Sequence, residues 1–326
     1  MTEEQVVAEI LEPQQIICDP HHHLWDYPES LYLLDEFLND VNHGHKLAKT
    51  VYVECRSHYR TEGPEHLRSV GETEFVHRLV SENQSDSDEP RIAAGIVGFA
   101  DLTLGADVDA VLEAHLQASA RFRGIRYMSA WHESEQLRNA QTDPTKDLLQ
   151  NDIFLEGFSC LEKYKLSFDA WVYHTQIEEV GQLARTFPGV TIILNHIGGP
   201  VGVGPYSGKR EEVFAEWHEA ITNLALQKNV MLKLGGLTMA LSGFGWNKRE
   251  KKPDYLDLAE YMGPYYRHCI DQFGTDRCMF ESNFPVDKVS CSYNVLWNSF
   301  KHIAREYSDV ERAALFHDTA SRVYRI

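Results

Sequence analysis

No run of apolar residues in the chain approaches the ~18 that a membrane-spanning helix requires. The opening residues, MTEEQVVAEILEPQQ, are acidic and hold no long apolar stretch of the kind a secretory signal carries. Both absences predict a cytoplasmic protein with no membrane partner. Cysteine is sparse and scattered. Its six copies (Cys18, Cys55, Cys160, Cys269, Cys278, Cys291) form no CxxC pair, and several sit inside apolar runs such as Ile16-Ile17-Cys18. They read as small buried hydrophobes, which excludes a disulfide framework or a thiolate zinc site. Positive charge is also short, with 31 basic against 49 acidic residues and a net charge of −18. That sign repels phosphate backbones and excludes nucleic acid as a partner. It leaves a small substrate open, because a few arginines can build a positive pocket in an acidic protein.

Short β-branched runs recur at 16–19, 50–55, 92–100, 124–129, 167–173, 190–195, 230–234 and 278–282. Between them lie stretches with helical spacing, such as Phe75, Val76, Leu79 and Val80, or Val108, Val111, Leu112 and His115. Further helices are predicted through 146–163, 176–187, 210–227, 254–273 and 292–306, with a closing one over 309–324. Eight strand-then-helix units predict an α/β fold, a (β/α)8 TIM barrel with its chemistry on the loops after the strands. An open dinucleotide-binding sheet would place a glycine-rich turn after the first strand. Asp19-Pro20-His21-His22-His23 stands there instead. One domain is expected over 1–326, with an N-terminal extension at 1–14. The polar stretch 81–90 reads as a loop. Two long glycine-rich loops, 198–209 and 238–253, follow strands six and seven and are expected to wall the barrel mouth, with Trp25, Trp131, Phe244 and Trp246 as candidate rim aromatics.

Residues two apart on a strand face the same way, so His21 and His23 both point into the barrel and His22 points out. Two imidazoles on one face make half of a site for a divalent metal. Trp171-Val172-Tyr173-His174 leaves strand five and Leu194-Asn195-His196 leaves strand six. Strand exits of a closed barrel converge, so histidines from three of them predict one pocket.

The segments DPHHHLWD (19–26), WVYHTQ (171–176), NHIGGP (195–200) and MFESNFPVD (279–287) resemble the amidohydrolase superfamily, in its amidohydrolase-2 branch of lactonases, ester hydrolases and non-oxidative decarboxylases. The resemblance spans nearly the whole chain. It implies that His21, His23 and His174 bind one divalent ion, Zn²⁺ or Mn²⁺, and that His196 contacts the ion or orients the substrate. Some lactonases of the branch work without metal. The sequence departs from the family at strand eight, where Asn283 replaces the usual aspartate. An amide cannot act as a general base. Glu281, which shares the parity of Asn283, and Asp287, beyond Pro285, are the two candidates for that role.

The resulting expectation is hydrolysis of a lactone or related carboxyl derivative at a mononuclear metal. The alternatives are a decarboxylase of an aromatic or enol acid, a metal-free lactonase and a barrel that binds without catalysis. Arg126 faces inward, where it holds a substrate carboxylate or pairs with a barrel carboxylate such as Glu54. Arg56 and Tyr206, on the second and sixth loops, are candidate substrate contacts alongside Asn283. The expected partner is a small molecule, carboxylate-bearing compounds among the candidates, and the C-terminal helix offers a surface for a homodimer.

Overall fold

The computed structural model describes residues 9–84, 90–138 and 140–326. Parts of the expected N-terminal extension and of the 81–90 loop lie outside the described residues. Eight strands follow one another around a single parallel sheet: β1 (Ile16–His22), β2 (Lys46–Val53), β3 (Arg91–Gly98), β4 (Phe122–Met128), β5 (Ser167–Trp171), β6 (Ile192–Leu194), β7 (Val230–Leu234) and β8 (Cys278–Phe280). The sheet closes where His22 bridges Phe284. His23 N donates to Phe284 O at 2.8 Å, and Asn283 N to His21 O at 2.9 Å. The architecture is a (β/α)8 TIM barrel, as the eight-unit pattern predicts.

A helix follows each strand: α1 (Leu34–Val41), α2 (Val70–Asn83), α3 (Val108–Ala118), α4 (Asp152–Tyr164), α5 (Ile177–Thr186), α6 (Arg210–Leu224), α7 (Tyr255–Phe273) and α8 (Tyr293–Ile303). Their starts are set locally. Asn151 Oδ1 accepts from the amides of Ile153 and Phe154 at the head of α4, and Asp254 Oδ1 accepts from Leu256 and Asp257 at the head of α7. The region expected to form one closing helix divides into α9 (Asp309–Ala313), a wider turn over Ala314–Asp318 and α10 (Thr319–Tyr324).

Strand alternation sorts the core into two bodies. Ile17, Tyr52, Ile96, Ile125, Phe168, Ile192, Leu232 and Phe280 face out against the helices. Cys18, Val51, Val97, Ile193, Met231 and Met279 face in and pack on Ala320, Val323 and Tyr324 of α10, which plugs the strand-entry end. Burying each large apolar side chain contributes roughly 1.5–3 kcal/mol. Above this apolar layer the inward positions turn polar, with Asp169 and Lys233 paired at 2.7 Å and fully buried. All six cysteines are free and only Cys160 is not buried. No helix among the described residues is long and apolar enough to cross a membrane.

Candidate active site

A register shift in β1 between Asp19 and His22 interrupts simple alternation, and its product is the predicted orientation of the histidines. His22 points out, its Nε2 2.8 Å from Thr50 Oγ1 and its ring stacked on Phe37. His21 and His23 point in, with ring centroids 4.9 Å apart. The bulge is anchored by buried Asp19, whose Oδ1 accepts from Ser282 N at 2.9 Å and whose Oδ2 accepts from Tyr293 OH at 3.1 Å.

His196 comes from the sharp turn after β6, where His196 and Ile197 adopt left-handed φ of 54° and 51°. Its ring lies 4.6 Å from that of His21 and edge-on to Trp171. Glu281, just past β8, stands between the two histidines. Its Oε1 is 2.6 Å from His196 Nδ1, and its Oε2 is 2.6 Å from His21 Nδ1. Two glycines after β7 make this possible. A Cβ on Gly235 would fall 2.3 Å from Glu281 Cγ, and one on Gly236 would fall 2.5 Å from His196 Cβ. Neither glycine was singled out from sequence, although the doublet at a strand exit was the available signal.

Arg126, inward from β4, donates from Nε to Glu54 Oε1 at 2.8 Å and from Nη2 to Glu54 O. Its Nη1 faces His21 Nε2 at 3.4 Å. Burial works against the arginine charge, but Glu54 more than offsets it and raises the pKa. His21 is held well below its usual value by burial and then by Lys233, whose Nζ lies 3.4 Å away. His23 is likewise lowered by burial and by Arg126. Both shifts favour the neutral imidazole, the form that ligates metals or accepts protons. Lys233 and Asp169 support this floor and were not recognised from sequence; their signal was a lone charge at an inward position of an apolar strand.

Not every expected residue joins the cluster. His174, anticipated as the third metal ligand, sits apart. The chain leaves β5 at Trp171, which with Asp169 takes the inward positions. His174 then opens a helical turn, its Nδ1 accepting from Val201 N at 3.4 Å and its Nε2 3.6 Å from Glu216. Tyr206 lies with it, 4.9 Å between ring centroids, in a surface cleft with Lys209 and Glu212. Arg56 is exposed and lines an adjoining cleft with Tyr59 and Asp101. Asp287 is buried behind Asn283, accepting from its Nδ2 at 2.6 Å and from Thr238. Phe244 and Trp246 stack on each other near Tyr261, and neither lines the cavity at the strand exits.

The groups that do converge form the floor of a cavity of about 330 Å³ at the strand exits, lined by His23, Arg126, His196 and Asn283 below and by Trp25, Trp171 and Met239 above. Trp25 reaches it on a short hairpin, Trp25–Tyr27 paired with Ser30–Tyr32. Among the described residues, His21, His196 and Glu281 are the group whose donor atoms lie within metal-binding reach, all within 4.8 Å of one another.

A family model described as Amidohydrolase matches residues 18–326. Protein y4mH of Sinorhizobium fredii is 35% identical over 332 residues, covering 95% of this chain and 98% of that protein. An L-fucono-1,5-lactonase of Burkholderia multivorans is 24% identical, covering 94% and 95%. The crystal structure of a Burkholderia multivorans amidohydrolase with bound zinc superposes with a TM-score of 0.73 at 22% identity, covering 95% of this chain and 99% of that one. A barrel with this histidine floor, matched over nearly its full length, belongs to the amidohydrolase family and is a hydrolase of the amidohydrolase-2 type.

Proposed function

We propose that the chain hydrolyses a cyclic ester, with His196 as the general base. The carrying observation is the 2.6 Å contact between Glu281 Oε1 and His196 Nδ1 at the edge of the cavity. Held there, Nδ1 carries the proton, and Nε2 is the nitrogen left to take one from water. The similarity to a protein named L-fucono-1,5-lactonase supports an ester within a ring.

Water attacks the lactone carbonyl carbon while His196 accepts its proton. The oxyanion that forms is stabilised by Arg126 Nη1, the guanidinium nitrogen not engaged by Glu54. The ring C–O bond then breaks, and the proton held on His196 passes to the departing alkoxide oxygen. The product is an open hydroxy acid. Neither Glu281 nor Asp287 need contact the water; Glu281 acts through His196.

The donor set of His21, His196 and Glu281 also fits one Zn²⁺ or Mn²⁺ ion, two imidazole nitrogens and a carboxylate oxygen, and in that form the ion would take over water activation, because a ligated His196 has no nitrogen left to accept a proton. Glu281 Oε2 supports that fit: it is buried and lacks a hydrogen bond of good geometry although His21 Nδ1 is 2.6 Å away. Bound there, the ion would polarise the carbonyl and lower the pKa of water to about 7. Incubation with lactones in ¹⁸O-labelled water tests the reading. One labelled oxygen in the hydroxy acid, lost in His196→Gln, is the expected result. CO2 release from an aromatic acid, with no lactone opened, would replace it with decarboxylation.

A further inference from the structure

The space above the histidine floor is walled by Trp25, Tyr27, Met128, Trp171, Met239 and Leu241. Five of these are only half-buried, Met128 being the exception, so their apolar faces are left uncovered at the mouth. Two of the three side-chain polar groups they own are already engaged, the indole N–H of Trp171 being the third. Trp25 Nε1 donates to Ser30 Oγ at 3.0 Å, and Tyr27 OH donates to Cys55 O at 2.5 Å. The charges at the floor cancel in the same way: Arg126 is paired with Glu54 and Lys233 with Asp169. Gln141, at the rim, is the one polar wall residue above the floor among the described residues that line the cavity.

This arrangement discriminates by what it withholds. A ring hydroxyl entering it sheds water and meets carbon, which costs about a factor of ten or more in binding for each group left unsatisfied. A substrate carboxylate would need a full positive charge, whereas Glu54 already neutralises Arg126 and leaves it a single free guanidinium nitrogen, enough for a carbonyl oxygen. An alkyl or aryl substituent, in contrast, gains about a factor of four for each methylene it buries. We infer that the site takes neutral lactones bearing an apolar substituent, in preference to polyhydroxylated sugar lactones or dicarboxylates. The inference rests on the lactone reading above and narrows it.

The test compares kcat/KM of the full chain for δ-decalactone and dihydrocoumarin with that for D-glucono-1,5-lactone and L-fucono-1,5-lactone. The apolar pair is expected to lead by at least tenfold, and Leu241→Asn to shrink that lead by about tenfold. Sugar lactones turned over as well as or better than the apolar pair would overturn the inference and leave the lactone reading standing. Failure of both classes would remove the lactone reading instead. The wall is then judged by tryptophan-quenching titrations with 6-pentylpiperidin-2-one and D-glucono-1,5-lactam. Tenfold tighter binding of the pentyl compound supports the apolar wall, and equal or weaker binding overturns it.

Discussion

Glu281 Oε1 lies 2.6 Å from His196 Nδ1 and also accepts from the backbone N of His196 at 3.1 Å. One carboxylate oxygen thus fixes both the position and the ring orientation of the proposed base. Removing the base and removing its holder should therefore differ. His196→Gln is expected to lower kcat by about 10²–10⁴ with KM little changed. Glu281→Gln keeps the shape and a carbonyl oxygen, so a smaller loss of about 10–100-fold is expected. Steady-state kinetics with one lactone checks both, and equal losses would make Glu281 part of the reacting set.

Gly235 offers a test of the same pair from outside it. Its added Cβ would meet Glu281 Cγ at 2.3 Å and Glu281 O at 2.6 Å. Backbone on one side cannot yield cheaply, so Gly235→Ala should displace Glu281 and release His196. We expect kcat to fall by about 10-fold or more and the melting temperature to drop, overpacking costing about 1–3 kcal/mol. Unchanged kinetics would mean that the orientation of His196 does not depend on Glu281.

His23 Nδ1 lies 2.7 Å from Val53 O and must donate to it, so His23 Nε2 presents a lone pair to Asn283 Oδ1 at 3.3 Å. Turning the Asn283 amide over would satisfy His23, but it would then point Oδ1 at Asp287 and require a proton there. Burial pushes Asp287 up from 3.8 to about 7, which makes that proton available near neutrality. Because the folded chain binds it more tightly than the unfolded one, this group contributes least penalty below pH 4. Between pH 4 and 7 the unfolded chain releases the proton first, and stability falls by at most about 1.4 kcal/mol per pH unit. Above pH 7 the full penalty is in place. Asp287→Asn removes the titration, so urea unfolding should show the variant gaining on the wild type from pH 4.5 to 7.5. A constant difference across that range would refute the raised pKa.

Metal content separates two ligand sets. If His21, His196 and Glu281 hold the ion, His21→Ala and Glu281→Ala should lose bound zinc or manganese after dialysis and reloading, while His174→Ala should keep it. Elemental analysis of the purified proteins reads this directly. Loss in His174→Ala and His21→Ala, with the ion kept in Glu281→Ala, would restore the set of His21, His23 and His174 that the family resemblance implies.

The barrel and most of its floor could be read from the sequence because period-two alternation is local. The inward Arg126 and the opposite facing of His22 to His21 and His23 follow from it, while the register shift between Asp19 and His22 is what turns the histidine pair inward. His174 escaped the same logic because alternation holds only while the strand continues, and β5 ends three residues earlier. The place of Asn283 after strand eight is legible in the sequence, but the link from its amide to Asp287 depends on a left-handed turn at φ 55° that no periodicity encodes. The Gly235–Gly236 doublet and the Lys233–Asp169 pair become meaningful only when strands distant in sequence meet.

Tyr324 reaches from α10 to Asp169, its OH 2.9 Å from Oδ1. The same oxygen accepts from Lys233 Nζ at 2.7 Å and Asn195 Nδ2 at 2.9 Å. Lys233 in turn stands 3.4 Å from His21 Nδ1, so the C-terminal helix is linked to the histidine floor through two side chains. Tyr324→Phe deletes one donor to a buried carboxylate and keeps the ring packed, for an expected loss of about 1.5–3 kcal/mol in urea unfolding. Lys233→Met leaves Asp169 buried without its cation and should cost more, about 3–5 kcal/mol. Pairing Lys233→Met with Asp169→Leu should recover part of that loss, because the uncompensated charge goes with it. If the double variant is no more stable than Lys233→Met alone, the penalty arises from packing in the barrel rather than from charge.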